Sequence, residues 1–536
     1  MSSRSRSGLR TIPAAAGAGG LLGLALIAPA LGFADAGPGL AWTRLLGGLI
    51  LLAVLFRLWS SLRGSWASLL GGFAAGLGFF GVALHWLGSS ANPDPGSFVL
   101  REAVTAAGAM WLFVPWWALW WWAAHGLTRF AGRSAMAPLA FVTAFGGSNL
   151  LLGDLAWGIP MAPLTLLTLD TLLAGLLPLI GQFGVDTVLV ALGTALGHSV
   201  RPDRAGWLAG GLLTSAGATA AAQLLTPTIP DAAPPGAPTV HLVQPALPHV
   251  ALLPPETGHE IVHGAVLMGI EQGMEAGATL VVLPEGAVLN DLTAEDGLVR
   301  EIAARLPEGA TVLVGFRRAE ARVGADGGFT VTPFNSVMLI EPGGAVATHD
   351  KAHLVPFGET MPGLLFALGF DVIAGPPGGF GAGPAIGVFE GVAELPPFAL
   401  AICYEAVLTG AVSREAQGAK WVLNLSAETL FRGTIGPRLL LDHMRLRAIE
   451  TGRPMLRATA HAYSGVIAAD GTVVELFGAE EAGGLTVAVP PARQTIFWRH
   501  GYAPLHGALG IALGALLVTG FGSRVRDRLA GVRSNL

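Results

Sequence analysis

Apolar blocks of about 20 residues recur through the first 225 positions of this 536-residue chain, and that repeat limits what the chain can become. A helix of that length, rising about 1.5 Å per residue, matches the roughly 30 Å hydrocarbon core of a bilayer. Spans are expected near residues 12–33, 39–56, 66–87, 103–126, 135–152, 181–199 and 206–225, with an eighth near 503–522. Charged residues make up 12% of the chain, about half the share in a soluble globular domain. A hydrophobic content of 52% excludes a disordered chain. The net charge of -5 and the lack of a long basic run argue against a nucleic-acid partner.

The expected plan is a polytopic α-helical membrane domain, about eight transmembrane helices in all, joined to a soluble domain. Residues 1–225 form the N-terminal transmembrane part of about seven helices. Thr226-Pro-Thr-Ile-Pro-Asp-Ala-Ala-Pro-Pro-Gly-Ala-Pro238 reads as a proline-rich linker, 226–238. Residues 239–495 read as soluble, 503–522 as a C-terminal transmembrane helix and 523–536 as a basic tail. Arginines set the orientation. Arg4, Arg6, Arg10, Arg57, Arg63, Arg129, Arg133, Arg201 and Arg204 fall on one side of such a plan, as do Arg524, Arg526, Arg528 and Arg533. The opposite loops hold Asp35, Asp94 and Asp154, with Arg44 and Arg101 as exceptions. Both termini are therefore expected to be cytoplasmic, with 239–495 outside the cytoplasmic membrane.

Several features inside the apolar zone admit two readings. Ala34-Asp-Ala36 resembles a signal cleavage site, but the preceding apolar run is longer than a typical signal core. Residues 155–180 contain Pro160, Pro163 and Asp170 and look interfacial or re-entrant rather than spanning. Asp186, inside the sixth span, is either a functional acid or a carboxyl hydrogen-bonded to a neighbouring element. Trp111, Trp116, Trp117, Trp120, Trp121 and Trp122 are expected to anchor the fourth span at an interface, or to form a lipid-binding surface.

In the soluble zone strand-like and helix-like segments alternate. Strands are expected at 239–247, 279–284, 311–316, 336–340, 398–403 and 421–425, with helices at 260–276 and 437–451. Val466–Leu476 reads as a hairpin turning at Asp470-Gly471. This pattern is that of an α/β domain, where active groups commonly sit at strand C-terminal ends.

Cys403 is the single cysteine, so neither an intramolecular disulfide nor a multi-cysteine zinc site can form. It ends the strand in Ala401-Ile-Cys-Tyr-Glu405. On composition alone it is either inert core or a nucleophile, since cysteine is among the most buried residue types. A nucleophilic thiol needs a base, and Glu285 in Leu283-Pro-Glu285-Gly could serve. Lys351, in Asp350-Lys351-Ala-His-Leu-Val-Pro-Phe-Gly-Glu359, could hold charge near an oxyanion. Lys351 is informative because the only other lysine is Lys420, among 31 basic residues. Lys420 reads as an ordinary solvated strand-edge residue. Glu359 and Glu405 add carboxylates.

His259-Glu260-Ile-Val-His263 matches the H-E-x-x-H zincin pattern, with Glu285 a forced third ligand. Short patterns of this kind match often by chance, and surface histidines at a helix start explain them as well. Pro376-Pro-Gly-Gly-Phe-Gly-Ala-Gly383 lacks the Lys-Ser/Thr of a phosphate-binding loop and reads as a mobile loop. No Gly-x-Ser-x-Gly elbow is evident. No metal and no cofactor are expected.

The trio Glu285, Lys351 and Cys403, in these motifs, resembles the nitrilase (carbon–nitrogen hydrolase) superfamily. His353-Leu-Val-Pro-Phe-Gly-Glu359 before Pro362 sharpens the likeness, as do Ile435-Gly-Pro437 and Met444-Arg-Leu-Arg-Ala-Ile-Glu-Thr-Gly-Arg-Pro-Met-Leu-Arg457. With the eight-span plan, the chain looks like the apolipoprotein N-acyltransferases of bacterial inner membranes. The resemblance implies a nitrilase-like α-β-β-α sandwich over 239–495 and a Glu–Lys–Cys triad. It also implies a ping-pong reaction through a thioester acyl-enzyme, in lipoprotein biosynthesis. The donor would be a membrane phospholipid, with phosphatidylethanolamine the expected one. The acceptor would be the amine of a diacylglyceryl-cysteine on an apolipoprotein. Glu359 and Glu405 would support the triad, and Tyr404 would shape the acyl site.

The sequence departs from that family at several places. Leu253 replaces an expected tryptophan. Ser426-Ala-Glu-Thr-Leu-Phe431 stands for Ser-Asn-Asp-Ala-Trp-Phe, with changes at Ala427 and Leu430. Ala460-His461-Ala462 replaces an Asn-Asn-Gly stretch, and Ile159-Pro160-Met161 replaces Phe-Pro-Trp. These changes bear on acceptor range and acyl preference. Alternatives are a membrane-tethered amidase or hydrolase using the same triad, a zinc protease on His259 and His263, and a non-catalytic lipoprotein-binding protein.

Overall fold

The structure is a computed structural model that describes residues 3–28, 38–87, 98–154, 161–199, 237–247, 255–293, 295–323, 329–361, 363–367 and 376–534, with a few single positions between. The expected seventh span, most of the 226–238 linker, Ala34-Asp-Ala36, Leu253 and Pro362 lie outside the described residues. The chain divides into two compact units. One is Met1–Pro227 with Gly433–Leu439 and Thr495–Leu536; the other is Thr228–Arg432 with Leu440–Gln494.

The first unit is helical: α1 (Ser3–Ile27), α2 (Pro38–Ser61), α3 (Ser65–Ala83), α4 (Phe98–Ala131), α5 (Ala137–Asp154) and α6 (Leu177–His198). Among the described residues, five helices are long and apolar enough to cross a membrane: Gly39–Ser61, Ser65–Ala83, Ser134–Gly153, Leu172–His198 and Ala503–Ala530. Thr11–Ile27 is a shorter apolar helix. Small residues let α1 and α3 touch backbone to backbone. A Cβ on Gly78 would lie 1.9 Å from the Ala16 carbonyl oxygen, and one on Gly19 would lie 2.1 Å from that of Ala75. Such close approach is how apolar helices gain packing energy where lipid removes the hydrophobic drive.

Three of the ambiguous features resolve here. The stretch after α5 holds two short 3-10 turns, Leu164–Thr168 and Leu172–Leu176, the second leading directly into α6. Asp186 is buried and accepts hydrogen bonds from the Thr165 amide at 2.6 Å, from the Thr165 hydroxyl and from Asn149 Nδ2 at 3.4 Å. It therefore ties that stretch to α6. Arg44, an exception to the arginine pattern, is buried and donates to the carbonyls of Leu166 and Leu169 at 3.1 and 3.4 Å. The tryptophan expectation needs correction. Trp117, Trp120 and Trp121 are buried within the unit, because α4 turns them toward its neighbours. The Trp120 ring packs against that of Phe141, tilted at 44° with centroids 4.5 Å apart, and its Nε1 donates to the Phe141 carbonyl at 2.9 Å. Trp122 alone of these four is exposed.

The second unit is built on two sheets. The strands are β1 (Thr239–Gln244), β2 (Leu280–Val282), β3 (Val288–Asp291), β4 (Thr311–Val323), β5 (Phe329–Glu341), β6 (Gly344–Asp350), β7 (Gly387–Phe389), β8 (Phe398–Ile402), β9 (Trp421–Ser426), β10 (Met455–Thr459), β11 (Ser464–Ile467), β12 (Val473–Phe477) and β13 (Gly483–Ala488). The first sheet runs β13-β1-β2-β4-β5-β6, with β3 on β4. The second runs β12-β11-β10-β9-β8-β7. The inner faces meet in one core, where Leu242, Val282 and Leu313 pack with Leu400, Leu423 and Leu456. Alternation puts Val281, Val312 and Val314 on the outer face, against α7 (Pro255–Glu275) and α8 (Gly297–Arg305). After the short α9 (Gly363–Ala367), α10 (Thr409–Glu415) and α11 (Gly436–Thr451) connect the parallel strands β8, β9 and β10. Crossovers of this kind are right-handed as a rule, and that rule places both on one face, the α-β-β-α order that the resemblance implies. The short α12 (Ile496–His500) and the long α13 (Ala503–Ser534) end the chain.

Strands β4 and β5 run well past the expected 311–316 and 336–340, pairing through Val323 and Phe329. Arg317, Arg318, Glu320 and Thr332 hid this extension, because it lies beyond the apolar core. The Asp470-Gly471 turn is as expected: the Thr472 amide binds Asp470 Oδ1 at 2.9 Å, and Gly471 has φ +87°.

Gly315 on β4 marks where the sheet meets the candidate site. A Cβ there would sit 2.2 Å from the Pro284 carbonyl oxygen and 2.8 Å from Glu285 Cα. Gly315→Ala should therefore cost roughly 1–3 kcal/mol by overpacking, read as a lower thermal midpoint. Gly343→Ala, with open space around it, should leave the midpoint unchanged.

Candidate active site

Three strand ends deliver the candidate chemistry. Glu285 follows β2, Lys351 follows β6 and Cys403 follows β8. The structure brings all three together, with Glu359 among them. Lys351 has no solvent-exposed side-chain surface, and its ammonium lies 2.8 Å from Glu359 Oε2 and 3.6 Å from Glu285 Oε1. Burial alone would lower the Lys351 pKa, but Glu359 first, the sulfur of Cys403 whenever it is ionised, and Glu285 hold it well above the usual lysine value.

Each carboxylate is fixed in turn. Glu285 Oε1 accepts from Asn335 Nδ2 at 2.6 Å, and Oε2 from the Ala427 amide at 2.8 Å. Glu359 accepts from Lys351, from Asn335 at 3.3 Å and from the Val355 amide at 2.9 Å. Glu405 is fully buried and accepts three backbone N–H groups: Ala352 at 2.8 Å, His353 at 2.9 Å and Ile402 at 2.7 Å. Burial still pushes its pKa up, against those hydrogen bonds. Glu405 thus pins the start of the Lys351–Glu359 loop to the end of β8. Tyr404 donates to the Leu354 carbonyl at 3.1 Å, and its ring lies 5.7 Å from the Lys351 ammonium.

Cys403 itself has φ +55°, a left-handed conformation for a residue with a side chain. Such backbone costs about 1–3 kcal/mol and persists only when its surroundings enforce it. Asn424 Nδ2 does so, donating to the carbonyls of Ala401 and Cys403 at 3.0 and 2.9 Å. Ser426, two residues on along β9, places its hydroxyl 3.6 Å from Cys403 Sγ. Burial, then the negative charge of Glu285, pushes the thiol up to about 12, against the Lys351 ammonium. The resting sulfur is therefore a thiol beside a carboxylate, and it needs that carboxylate as a base to become a nucleophile.

Sequence reasoning missed Asn335, Asn424 and Ser426. The one signal was a polar residue inside a strand-forming run, where asparagine is disfavoured. The glycine-rich stretch 376–383, expected to be mobile, is instead tied down. Phe380 N donates to the Glu359 carbonyl at 2.8 Å, Gly381 N to Pro333 at 2.8 Å and Gly383 N to Lys351 at 2.7 Å. It buttresses the loop that carries Lys351 and Glu359. The H-E-x-x-H histidines lie on α7, where His263 Nε2 pairs with Glu301 at 3.0 Å. Among the described residues no group of three or more His, Cys, Asp or Glu could hold a metal. Glu285 is engaged by Lys351, Asn335 and Ala427 instead. Lys420 is exposed, as expected.

Two predictions follow from the anchoring groups. Glu405→Gln sets an amide donor against one of three buried N–H groups, so it should cost roughly 1–3 kcal/mol of stability, measured by thermal melting. His353 Nε2 lies 3.0 Å from Glu415 Oε2, which also accepts from the Ile386 amide at 2.9 Å. The bond to Glu415 raises the His353 pKa despite burial. Glu415 is lowered, because His353 and the Ile386 amide outweigh its burial. A raised histidine stabilises fully below its unfolded value near 6.5 and loses that contribution as pH rises through its folded value. The gap in melting midpoint between wild type and His353→Gln should therefore shrink as pH rises from about 6 to about 9.

Part of the chain is similar to known proteins. Residues 259–496 match the carbon–nitrogen hydrolase family model. The apolipoprotein N-acyltransferase of Bradyrhizobium diazoefficiens is 36% identical over 261 residues, 47% of this chain and 46% of that protein. That of Sinorhizobium medicae is 34% identical over 294 residues, 52% and 54% of the two chains. That of Rhodopseudomonas palustris is 34% identical over 244 residues, 45% of each. The chain spans about half the length of the curated relatives it matches. The match to the carbon–nitrogen hydrolase family thus covers residues 259–496, the stretch that holds most of the strands and the strand-end thiol.

Proposed function

We propose that this protein is a membrane N-acyltransferase of lipoprotein maturation, with Cys403 as nucleophile, Glu285 as general base and Lys351 as the charge-holding group. The observation that carries the reading is the sealed cluster itself: a thiol, a carboxylate and an ammonium from three strand ends, with no water-exposed lysine surface. The relatives named as apolipoprotein N-acyltransferases supply the substrate class. Glu285 takes the thiol proton as Sγ attacks the acyl carbonyl of a phospholipid. Lys351 and backbone N–H groups stabilise the oxyanion. The ester C–O bond breaks, the Glu285 proton passes to the leaving oxygen, and lysophospholipid departs from a thioester. The α-amine of a diacylglyceryl-cysteine then attacks. Its C–N bond forms, the C–S bond breaks, and Glu285 carries the amine proton back to sulfur.

Phosphatidylethanolamine is the proposed donor, and the bilayer of the bacterial cytoplasmic membrane the proposed setting. Eight spans, cytoplasmic termini and an outward-facing 239–495 domain are the topology that the arginine asymmetry supports. Residues 1–225 and 503–522 are the proposed membrane part, 226–238 the linker and 523–536 the basic tail. Glu359 and Glu405 are the proposed supports of the triad, and Tyr404 the proposed shaper of the acyl site.

The test is chemical. Wild-type protein incubated with a labelled phospholipid should form an acyl adduct that hydroxylamine removes, and Cys403→Ala should form none. Glu285→Gln should slow adduct formation by roughly 10²–10⁴-fold. A diacylglyceryl peptide should then discharge the adduct onto its amine. Absence of the adduct in wild type overturns the reading, and release of free fatty acid alone would make the protein a hydrolase.

A further inference from the structure

Ser426 stands where one proton serves two acceptors. Its hydroxyl oxygen is 3.6 Å from Cys403 Sγ and 3.0 Å from Glu428 Oε1. A serine hydroxyl has a single hydrogen, so it can donate to only one of them at a time. Glu428 is 4% exposed, sits in a left-handed conformation at φ +51°, and forms an ion pair with Arg457 Nη2. Arg457, from β10, is 1% exposed. Its Nε and Nη1 have no hydrogen-bond partner among the described residues, nor does Glu428 Oε2. The pair therefore holds unused donors and an unused acceptor, both buried.

We propose that Ser426 is a catalytic hydroxyl rotor: it donates to Glu428 while Cys403 is a thiol or thioester, and turns to donate to Sγ when the sulfur becomes a thiolate. Glu428 and Arg457 are positioning residues that make the turn cheap. When the hydroxyl leaves Glu428, that carboxylate keeps its ion pair with Arg457 Nη2. The charge on sulfur then gains a hydrogen bond without leaving a bare carboxylate behind. No bond other than the hydrogen bond changes, and the proton of Cys403 still goes to Glu285. The field at the sulfur also comes from Glu285 after β2, Lys351 and Glu359 after β6, and Arg457 on β10, with Tyr404 and Glu405 on its own turn. Burial pulls Arg457 down to about 10, and a thiolate at Cys403 pulls it back up, so the two sites sense one another.

The proposal rests on the preceding reading only in taking Cys403 as the nucleophile, and it is tested without acyl donor. The full-length protein in detergent is alkylated with iodoacetamide, which can label no other cysteine. Rates are measured at fixed pH between about 8 and 10, below the thiol's own value. Ser426→Ala should alkylate about threefold more slowly. The lost hydrogen bond raises the thiol by about one unit, and higher nucleophilicity offsets part of that. Ser426→Thr, which keeps the hydroxyl, should match wild type. Glu428→Gln competes less for the hydroxyl proton and should alkylate about threefold faster. That gain should shrink in the Ser426→Ala background. Wild-type rates in a folded Ser426→Ala protein, or a Glu428→Gln gain of equal size with and without Ser426, would overturn the rotor. Acyl transfer can succeed or fail independently of either result.

Discussion

A lysine ammonium sealed from water sets the terms for the whole candidate site. An unpaired buried charge is too costly to keep, so Lys351 must have carboxylates against it. Glu359 at 2.8 Å and Glu285 at 3.6 Å meet that need. Each carboxylate then requires donors for its remaining lone pairs. Asn335 serves both, the Val355 amide serves Glu359, and the Ala427 amide serves Glu285. One buried charge thus fixes a strand of the first sheet, the loop after β6 and the exit of β9. The same carboxylates act on Cys403 in the opposite sense. They hold the lysine charged and, with burial, keep the thiol protonated. The resting site is therefore a thiol facing a base, not a free thiolate, and the sulfur becomes reactive only as its proton leaves.

Backbone strain is held at the same place. Cys403 follows β8 in a left-handed conformation, and anchors on either side prevent its relaxation. Asn424 grips the carbonyl of Cys403, and Glu405 grips the amide of Ile402. Glu405 also reaches the amides of Ala352 and His353, so the strained turn and the lysine loop are one rigid piece. Glu405 is costly to bury, and its role is geometric: one acid satisfies three N–H groups from two segments, which Tyr404 joins again through the Leu354 carbonyl.

Two of the candidate triad positions were legible because they follow apolar runs, Glu285 after Leu280–Val282 and Cys403 after Phe398–Ile402, whereas Lys351 follows the polar Thr348-His-Asp350 end of β6 and stood out as one of only two lysines. Such runs give burial and strand direction, and chemistry gathers at their ends. What escaped was polar material inside the runs. Asn335, Asn424 and Ser426 lie within β5 and β9, and nothing in their spacing says which face or which partner they meet. Sheet pairing decides that, since Asn424 is registered opposite Ala401 and Arg457. The tryptophans of α4 were misread for a related reason. Their identity suits an interface, yet the helix phase turns Trp117, Trp120 and Trp121 toward α3 and α5. The glycines at 376–383 suggested mobility, whereas the amides of Phe380 and Gly383 donate to the carbonyls of Glu359 and Lys351 at the two ends of the neighbouring loop.

The departures from the relatives' expected pattern look different once contacts are assigned to atoms. Ala427 replaces an asparagine, but its contact with Glu285 is made by the backbone N–H, which any residue other than proline supplies. Ala460 likewise engages through its backbone, donating to the Ser426 carbonyl and accepting from the Ala246 amide. Glu428, in place of an aspartate, keeps a carboxylate where Ser426 and Arg457 need one. At Ala427 and Ala460 the contact runs through the backbone, so a change of side chain there leaves it in place. At Glu428 the side chain itself meets Ser426 and Arg457, so a substitution that removes its carboxylate breaks both contacts.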